Sequence, residues 1–357
     1  MNMQASKPKV GREYQHLEDL VIVEGVQGVN RALNIIRSLI DKTEKPSIKW
    51  DGILTVYWGR ENGRFGVCGK HSWGKKLSYN SSELHDHIIS SGKNEPWRPR
   101  LARDMKQIFE IFEENTPHDM SGFVFGDILF QPNDPAIIDR GKVMFCPNKV
   151  TYQSDVSSRI GSELIGSVAG VAIHQYYEEF GQSVGVEVSD TSQYICPPVK
   201  AFSQTNISGD LIVNYNEIND VRELLECYGD QIDCFFKPIK GLSDLRNILY
   251  RFVNHQNRTH QLMNIDTASF NEWIINSTVS SNKQFKIIDL QKQYPDALSA
   301  IFAIWTKIMD IKNHVIVQLD YAPFEIQSFT GDQMGGEGYV LLDSKIKLVP
   351  RHRWKPI

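Results

Sequence analysis

The sequence predicts an α+β fold, and three observations predict it. Short apolar runs of strand character recur at 47–59, 62–70, 122–130, 143–153 and 161–177, and return at 336–349. Apolar residues at three- and four-residue spacing mark a helix over about 26–41 and a mostly helical stretch over 82–115. From about 217 to 314 the helical spacing continues almost without a break. The pattern gives a strand-rich domain made of 1–209 and 321–357, carrying a mainly helical insertion at 210–320.

Each element has a local reason. Leu33, Ile36, Leu39 and Ile40 line one side of the first helix, and DKTEKPS after it reads as a turn. Residues 47–59, SIKWDGILTVYWG, read as two short strands about a tight Asp51-Gly52 turn. Asn62-Gly63 marks the next turn, because both residues tolerate the positive φ of a two-residue hairpin. GFVFGDILF at 122–130 is a dense apolar run with a single charge, Asp127. VMFCP and VTYQ continue the strands, and SVAGVAIHQYY reads as a buried strand with an aromatic end. NDVRELLECY, LSDLRNILYRFVNHQ, SFNEWIIN and DALSAIFAIWTKIMDI supply the helices of the insertion.

Composition excludes several classes. A chain of 357 residues with 41% hydrophobic content can bury a large core, and 10% aromatics argue against disorder. No window offers about 20 uninterrupted apolar residues, so no membrane span or membrane partner is expected. The N-terminal residues lack the apolar stretch of a signal peptide, which points to the cytoplasm. The five cysteines are scattered without a CxxC pair, so buried reduced thiols are expected rather than a zinc site or disulfides. A net charge of −4 does not fit a protein that coats nucleic acid, although a net value hides local basic grooves.

Three features carry chemistry. The first is Lys49-Trp50-Asp51-Gly52. A lysine attacks phosphorus only when its amine is neutral, a state that burial and nearby positive charge favour. A lysine at a strand end before a tight turn is held rigidly, yet a plain hairpin turn uses the same Asp-Gly pair. The second is Glu337-Gly338-Tyr339-Val340 followed by Lys345-Ile346-Lys347. Alternate residues of a strand share a face, so Lys345 and Lys347 suit an anion such as a triphosphate. A solvated edge strand guarded by lysines has the same pattern. The third is Asp127, whose carboxylate needs a partner inside an apolar run. A ribose hydroxyl, a metal or a salt bridge to Lys or Arg would each serve.

In this order, KxDG, the apolar-Gly-acid strand, EGxV and KxK resemble the motif series of the covalent nucleotidyltransferase superfamily. That superfamily comprises ATP-dependent DNA ligases, RNA ligases and mRNA-capping guanylyltransferases. The resemblance spans about 45–349. It implies an adenylation domain of antiparallel sheets around a nucleotide cleft, with ATP and Mg²⁺ as cofactors. It implies that Lys49 is the nucleophile, completed by Asp51 and Gly52. Asp127 stands where the family usually has a Glu that touches the ribose. Glu337 matches the acid that helps hold the metal. Lys345 and Lys347 match the lysines that grip the α-phosphate and help expel pyrophosphate. Lys70, with Lys75 and Lys76 behind it, is the candidate for a basic residue near the nucleotide. Tyr176 or Tyr177 is the candidate for stacking on the base, and His174 reads as a hydrogen-bonded structural residue.

Two departures narrow the expectation. Leu54 stands where many ligases carry Arg, and only PRHRWKPI follows the last strand, which leaves no C-terminal OB fold. Both point to a ligase for RNA or single-stranded ends, and the divergent form resembles phage-encoded polynucleotide ligases. A DNA ligase, a GTP-using capping enzyme and a non-catalytic phage structural or binding protein are the alternatives. The insertion carries Lys237, Lys240, Arg246, Arg251, His255, Arg258 and His260 with Tyr250 and Phe252 among them. Basic residues interleaved with aromatics suit a nucleic-acid strand, and a solvated helix face has the same composition.

Overall fold

The computed structural model describes residues 14–92, 95–203, 207 and 209–351. Residues 1–13 and most of PRHRWKPI, both read above, lie outside the described residues. The chain runs through β1 (Gln15–His16), α1 (Leu20–Glu24), α2 (Val26–Ile40), β2 (Pro46–Ile48), β3 (Leu54–Glu61) and β4 (Arg64–Gly69). α3 (Ser81–Ser90) and α4 (Arg98–Asn115) precede β5 (Gly122–Phe130), β6 (Ile137–Asp139), β7 (Lys142–Phe145) and β8 (Val150–Asp155). Next come α5 (Arg159–Ile165), β9 (Ala169–Tyr177), β10 (Val186–Glu187) and β11 (Val199–Phe202). Five helices follow: α6 (Tyr215–Phe235), α7 (Leu245–Arg258), α8 (Thr267–Asn276), α9 (Ser281–Gln293) and α10 (Ala297–Asp320). The last strands are β12 (Gln327–Thr330), β13 (Gln333–Met334), β14 (Tyr339–Leu341) and β15 (Ile346–Leu348). The fold is α+β, with three largely antiparallel sheets among the described residues.

The chain forms two compact units, and their boundaries differ from the division expected at 210–320. The helical unit comprises Met1–Ser47, Ile207–Ala322 and Gly338–Ile357. The strand-rich unit comprises Ile48–Asn206 and Pro323–Glu337. The helical segment therefore takes both chain ends with it. The reason is a set of charges buried against α10. Lys312 donates to the Glu18 carboxylate at 2.7 Å and to the Val349 carbonyl at 2.9 Å. Arg351 donates to Glu18 at 2.6 Å and also pairs with Asp19, and Trp305 Nε1 donates to Asp19 at 3.0 Å. β1 pairs in parallel with β15 in the sheet β1-β15-β14-β2.

The strand-rich unit holds two sheets, antiparallel except where β11 pairs in parallel with β9. The larger has the order β10-β9-β5-β3-β4, with β11 beside β9. β3 and β4 form the expected hairpin, with Asn62 at φ 53° and Gly63 at φ 79°. One face of this sheet is covered by α3 and α4. Trp58 and Val124 pack there against Met105, Ile108, Phe109 and Phe112, which recur at helical spacing. Burying a side chain of this size contributes roughly 1.5–3 kcal/mol over leaving it exposed. The smaller sheet has the order β13-β12-β8-β7-β6. Aromatic rings join the two sheets, Phe130 of β5 to Phe145 of β7 at 5.2 Å between centroids, and within the smaller sheet Phe145 stacks on Tyr152 at 5.3 Å.

All five cysteines are free. Cys68 is buried, and burial pushes its thiol up to about 12. Cys146, Cys196 and Cys227 are exposed rather than buried as expected. Among the described residues, no helix is long and apolar enough to cross a membrane.

Candidate active site around Lys49

The segment from Lys49 to Ile53 crosses between sheets instead of turning a hairpin. β2 and β3 belong to different sheets, which corrects the expectation of two strands paired about Asp51-Gly52. Trp50 anchors the crossing. It is buried, with its ring 5.0 Å from Tyr152 and 4.8 Å from Phe202. The Asp51 N–H donates to the Tyr152 hydroxyl at 2.8 Å. The Asp51 carboxylate accepts from the Asn148 side chain at 3.3 Å and from the Lys149 backbone at 3.2 Å.

Gly52 is required by close approach, not by a turn conformation. A Cβ there would lie 2.5 Å from the Asp127 Cβ and 3.1 Å from the Ile128 oxygen. The following residue, Ile53, donates its N–H to that Ile128 oxygen at 2.8 Å. The glycine thus lets the Lys49 segment lie against β5.

Four of the residues singled out by sequence meet here. Lys49 Nζ forms an ion pair with Glu337, which directly follows the strands of the smaller sheet. Side-chain exposures of 28% and 25% leave the pair reachable from solvent while largely desolvated. Burial pushes the Glu337 carboxyl above its usual range, Lys49 opposes the shift, and the charges of Asp51 and Asp127 add to it. Asp127 is engaged on both oxygens. Thr55 donates to one at 2.6 Å, and His174 Nε2 lies 3.0 Å from the other. Burial pushes the Asp127 carboxyl up, but the bonds from His174 and Thr55 and the charge of Lys49 outweigh it and hold it low.

His174 reaches Asp127 through a bulge. Phe125 pairs with Gln175 and Gly126 pairs with Ile173, so His174 is the residue passed over. A bulge of this kind re-aims a side chain. The same shift turns Tyr176 to the face covered by α4, where it stacks on Tyr194 at 5.5 Å and donates to the Ser121 carbonyl at 3.0 Å. Tyr177 packs with Tyr57 and Trp73 on the other face. Neither tyrosine joins the Lys49 cluster. Period-two alternation cannot show a one-residue bulge in advance.

Lys70 lies just beyond β4, on an exposed single turn. It borders a groove of about 660 Å³ with Lys75, Lys76, Leu54 and Thr55. No carboxylate lines that groove, and among the described residues the three lysines have no ion-pair partner. Thr55, at its edge, is the donor to Asp127. Lys345 and Lys347 belong to the helical unit. Only Lys347 is in β15; Lys345 ends the preceding turn at φ 54°, so the two do not share one strand face as expected. The Lys345 ammonium lies 5.4 Å from the Tyr14 ring centroid. Among the described residues no group of three or more His, Cys, Asp or Glu is arranged to hold a metal.

A family model matches residues 13–355. The chain belongs to DUF6267, a family of unknown function. No curated protein and no solved structure matches it. For this DUF6267 chain, Thr55 and His174 are the neighbours of the site that sequence did not single out for chemistry. Thr55 had a usable signal, since it stands three residues after Gly52 on the strand that pairs with Asp127.

Proposed function

We propose that this chain is an ATP-dependent polynucleotide ligase that stores AMP on Lys49 and passes it to a 5′-phosphate end, with RNA or single-stranded ends favoured. One observation carries the reading: Lys49, Asp51, Asp127 and Glu337, from three distant segments, converge in one unit. Neutral Lys49 Nζ attacks the α-phosphorus of ATP. A P–N bond forms, the bond to the bridging oxygen breaks, and pyrophosphate leaves with the electron pair. Glu337, its carboxyl pushed up by burial, accepts the proton that Lys49 gives up.

The 5′-phosphate then takes the AMP. The P–N bond breaks, an anhydride forms, and Lys49 regains a proton. A 3′-hydroxyl attacks the activated phosphate and releases AMP. Each step is a phosphoryl transfer, so positioning and charge do most of the catalysis. Asp127 meets Thr55 and His174 rather than standing free for a ribose, so it positions β5 against Gly52. Lys70, Lys75 and Lys76 offer charge to the phosphates of the strand. Lys345 and Lys347 belong to the helical unit and are assigned no part in this step.

Glu337 and Asp51 would hold one Mg²⁺, because a cation would relieve the burial cost of the Glu337 carboxylate. Such an ion would offset charge on the phosphates.

Incubation with Mg²⁺ and α-³²P-labelled ATP or GTP, after pyrophosphate treatment to clear any bound nucleotide, tests the reading on a denaturing gel. A band from ATP that is absent in Lys49→Ala supports it. A band from GTP alone replaces it with capping chemistry. No band from either nucleotide sinks it and leaves the non-catalytic alternative.

A further inference from the structure

The helical unit carries a groove that the Lys49 chemistry does not use. It lies between α7 and α8 and has a volume of about 990 Å³. On α7, Arg251, Asn254, His255 and Arg258 stand at positions i, i+3, i+4 and i+7, which is one helix face. On α8, Ser269, Glu272, Trp273 and Asn276 repeat the same spacing and line the opposite wall.

The charges are available. Arg251 bonds only the Thr278 hydroxyl, at 2.9 Å, and Arg258 has no ion-pair partner among the described residues. Seven residues of helix separate them, about 10 Å along the axis. Glu272 is the one carboxylate in the lining, so the groove is cationic on a chain of net charge −4. The aromatic wall is fixed in place. Trp273 packs on Phe252 at 5.6 Å and on Phe270 at 6.1 Å, and it is only half-buried. His255 lies 6.3 Å from its ring, and Tyr250 borders the same space. The wall also holds an acceptor without a donor. Gln256 is 3% exposed, its side-chain nitrogen faces the Asn264 carbonyl at 3.5 Å, and its Oε1 has no hydrogen-bond partner.

Of the basic and aromatic residues read from the insertion, only some belong to this surface. Arg246 is spent on the Ile22 carbonyl at 2.7 Å and on the Phe236 ring, and Phe252 is core. The division is what a binding face needs: structural residues inward, free cations and π-faces outward.

We propose that the α7–α8 groove binds a single-stranded nucleic-acid segment, with phosphates on Arg251 and Arg258 and an unpaired base against Trp273. Aromatic faces are of use only to unstacked bases, so a duplex would meet the arginines but not the tryptophan. The side-chain nitrogens of Asn254 and Asn276 bond the Tyr250 and Glu272 carbonyls of their own helices, which leaves their amide oxygens to accept from base edges or a ribose hydroxyl. The proposal stands on this unit alone and does not rest on nucleotide transfer by Lys49.

The test is fluorescence anisotropy of the full chain with end-labelled 20-nucleotide RNA and DNA, single-stranded and duplex, across a salt series. Single strands should bind more tightly than duplex of equal length. Trp273→Leu with Arg251→Ser and Arg258→Ser should weaken the Kd by roughly tenfold or more. Losing two phosphate contacts should flatten the salt slope by about 1.4. Arg258→Glu, at an exposed position with no folding burden, should weaken binding by itself. Unchanged affinity in folded variants, or a preference for duplex, overturns the proposal. A mononucleotide that saturates the groove without competition from the strand overturns it in favour of a small-ligand site. Binding is read independently of labelling, so failure of the ligase reading leaves this result interpretable.

Discussion

Lys49 and Glu337 stand 288 positions apart in the sequence and form an ion pair. Glu337 is largely buried, and burial raises its carboxyl even with Lys49 beside it. A carboxyl raised in the folded state contributes most below its unfolded value, and stability falls as pH rises through the folded value. Removing Lys49 removes the opposing charge. Lys49→Ala should therefore steepen that loss and cost about 1–2 kcal/mol near neutral pH. Lys49→Ala with Glu337→Gln should recover most of it. Thermal unfolding of the three proteins between pH 4 and 8 checks this, and equal loss in the single and double variants would sink it.

The close approach at Gly52 gives a second expectation. A methyl group there meets the Asp127 side chain, and neither β5 nor the Lys49 segment has room to yield. Gly52→Ala should destabilise by about 1–3 kcal/mol, the usual cost of forcing extra volume into a packed site. Nucleotide labelling should fall with it, because Lys49 is carried by the displaced segment. Unchanged melting and unchanged labelling together would mean that the contact is not a constraint.

Asp127 behaves in the opposite sense to Glu337. Its carboxyl is held low by His174, Thr55 and Lys49 against the effect of burial. A carboxyl lowered in the folded state contributes stability above its unfolded value, and that stability is lost as pH falls through the folded value. His174→Leu leaves Asp127 with one hydrogen bond fewer. It should cost about 1–3 kcal/mol at pH 7, and less once Asp127 is protonated. Chemical denaturation at pH 7 and in steps down through and below the ordinary carboxylate range separates the two cases. A pH-independent cost would assign the effect to packing.

Much of this molecule was legible because its signals are local. GFVFGDILF marks β5, Asn62-Gly63 turns the β3–β4 hairpin, and the apolar spacing of α4 places Met105, Ile108, Phe109 and Phe112 on one face. The candidate site was legible as residues but not as geometry. The Asp51-Gly52 pair has the composition of a hairpin turn, yet its glycine serves a close contact with Asp127, a partner that lies 75 positions later. Tyr176 and His174 would share a face in a regular strand, and one bulge that leaves no mark on composition puts them on opposite faces. The unit boundary fails for a related reason. Glu18, Asp19, Lys312 and Arg351 are individually ordinary charges, and only their mutual burial ties the chain ends to the helices.

That buried network makes the strongest stability prediction. Glu18 is fully buried between Lys312 and Arg351, and although burial pushes its carboxyl up, the two cations hold it at about 2. Arg351→Met removes the cation shared by Glu18 and Asp19 and leaves Asp19 with the Trp305 N–H. Breaking a buried pair by removing one partner costs about 3–5 kcal/mol, because the remaining charge stays desolvated. The loss should appear in melting of the helical unit, with the strand-rich unit serving as an internal reference. Glu18 contributes this stability above its ordinary carboxyl value, and its share is lost as pH falls towards about 2. The gap between wild type and Arg351→Met should therefore narrow in strong acid. A cost below about 1 kcal/mol at pH 7, the range of an exposed pair, would mean that water reaches the network.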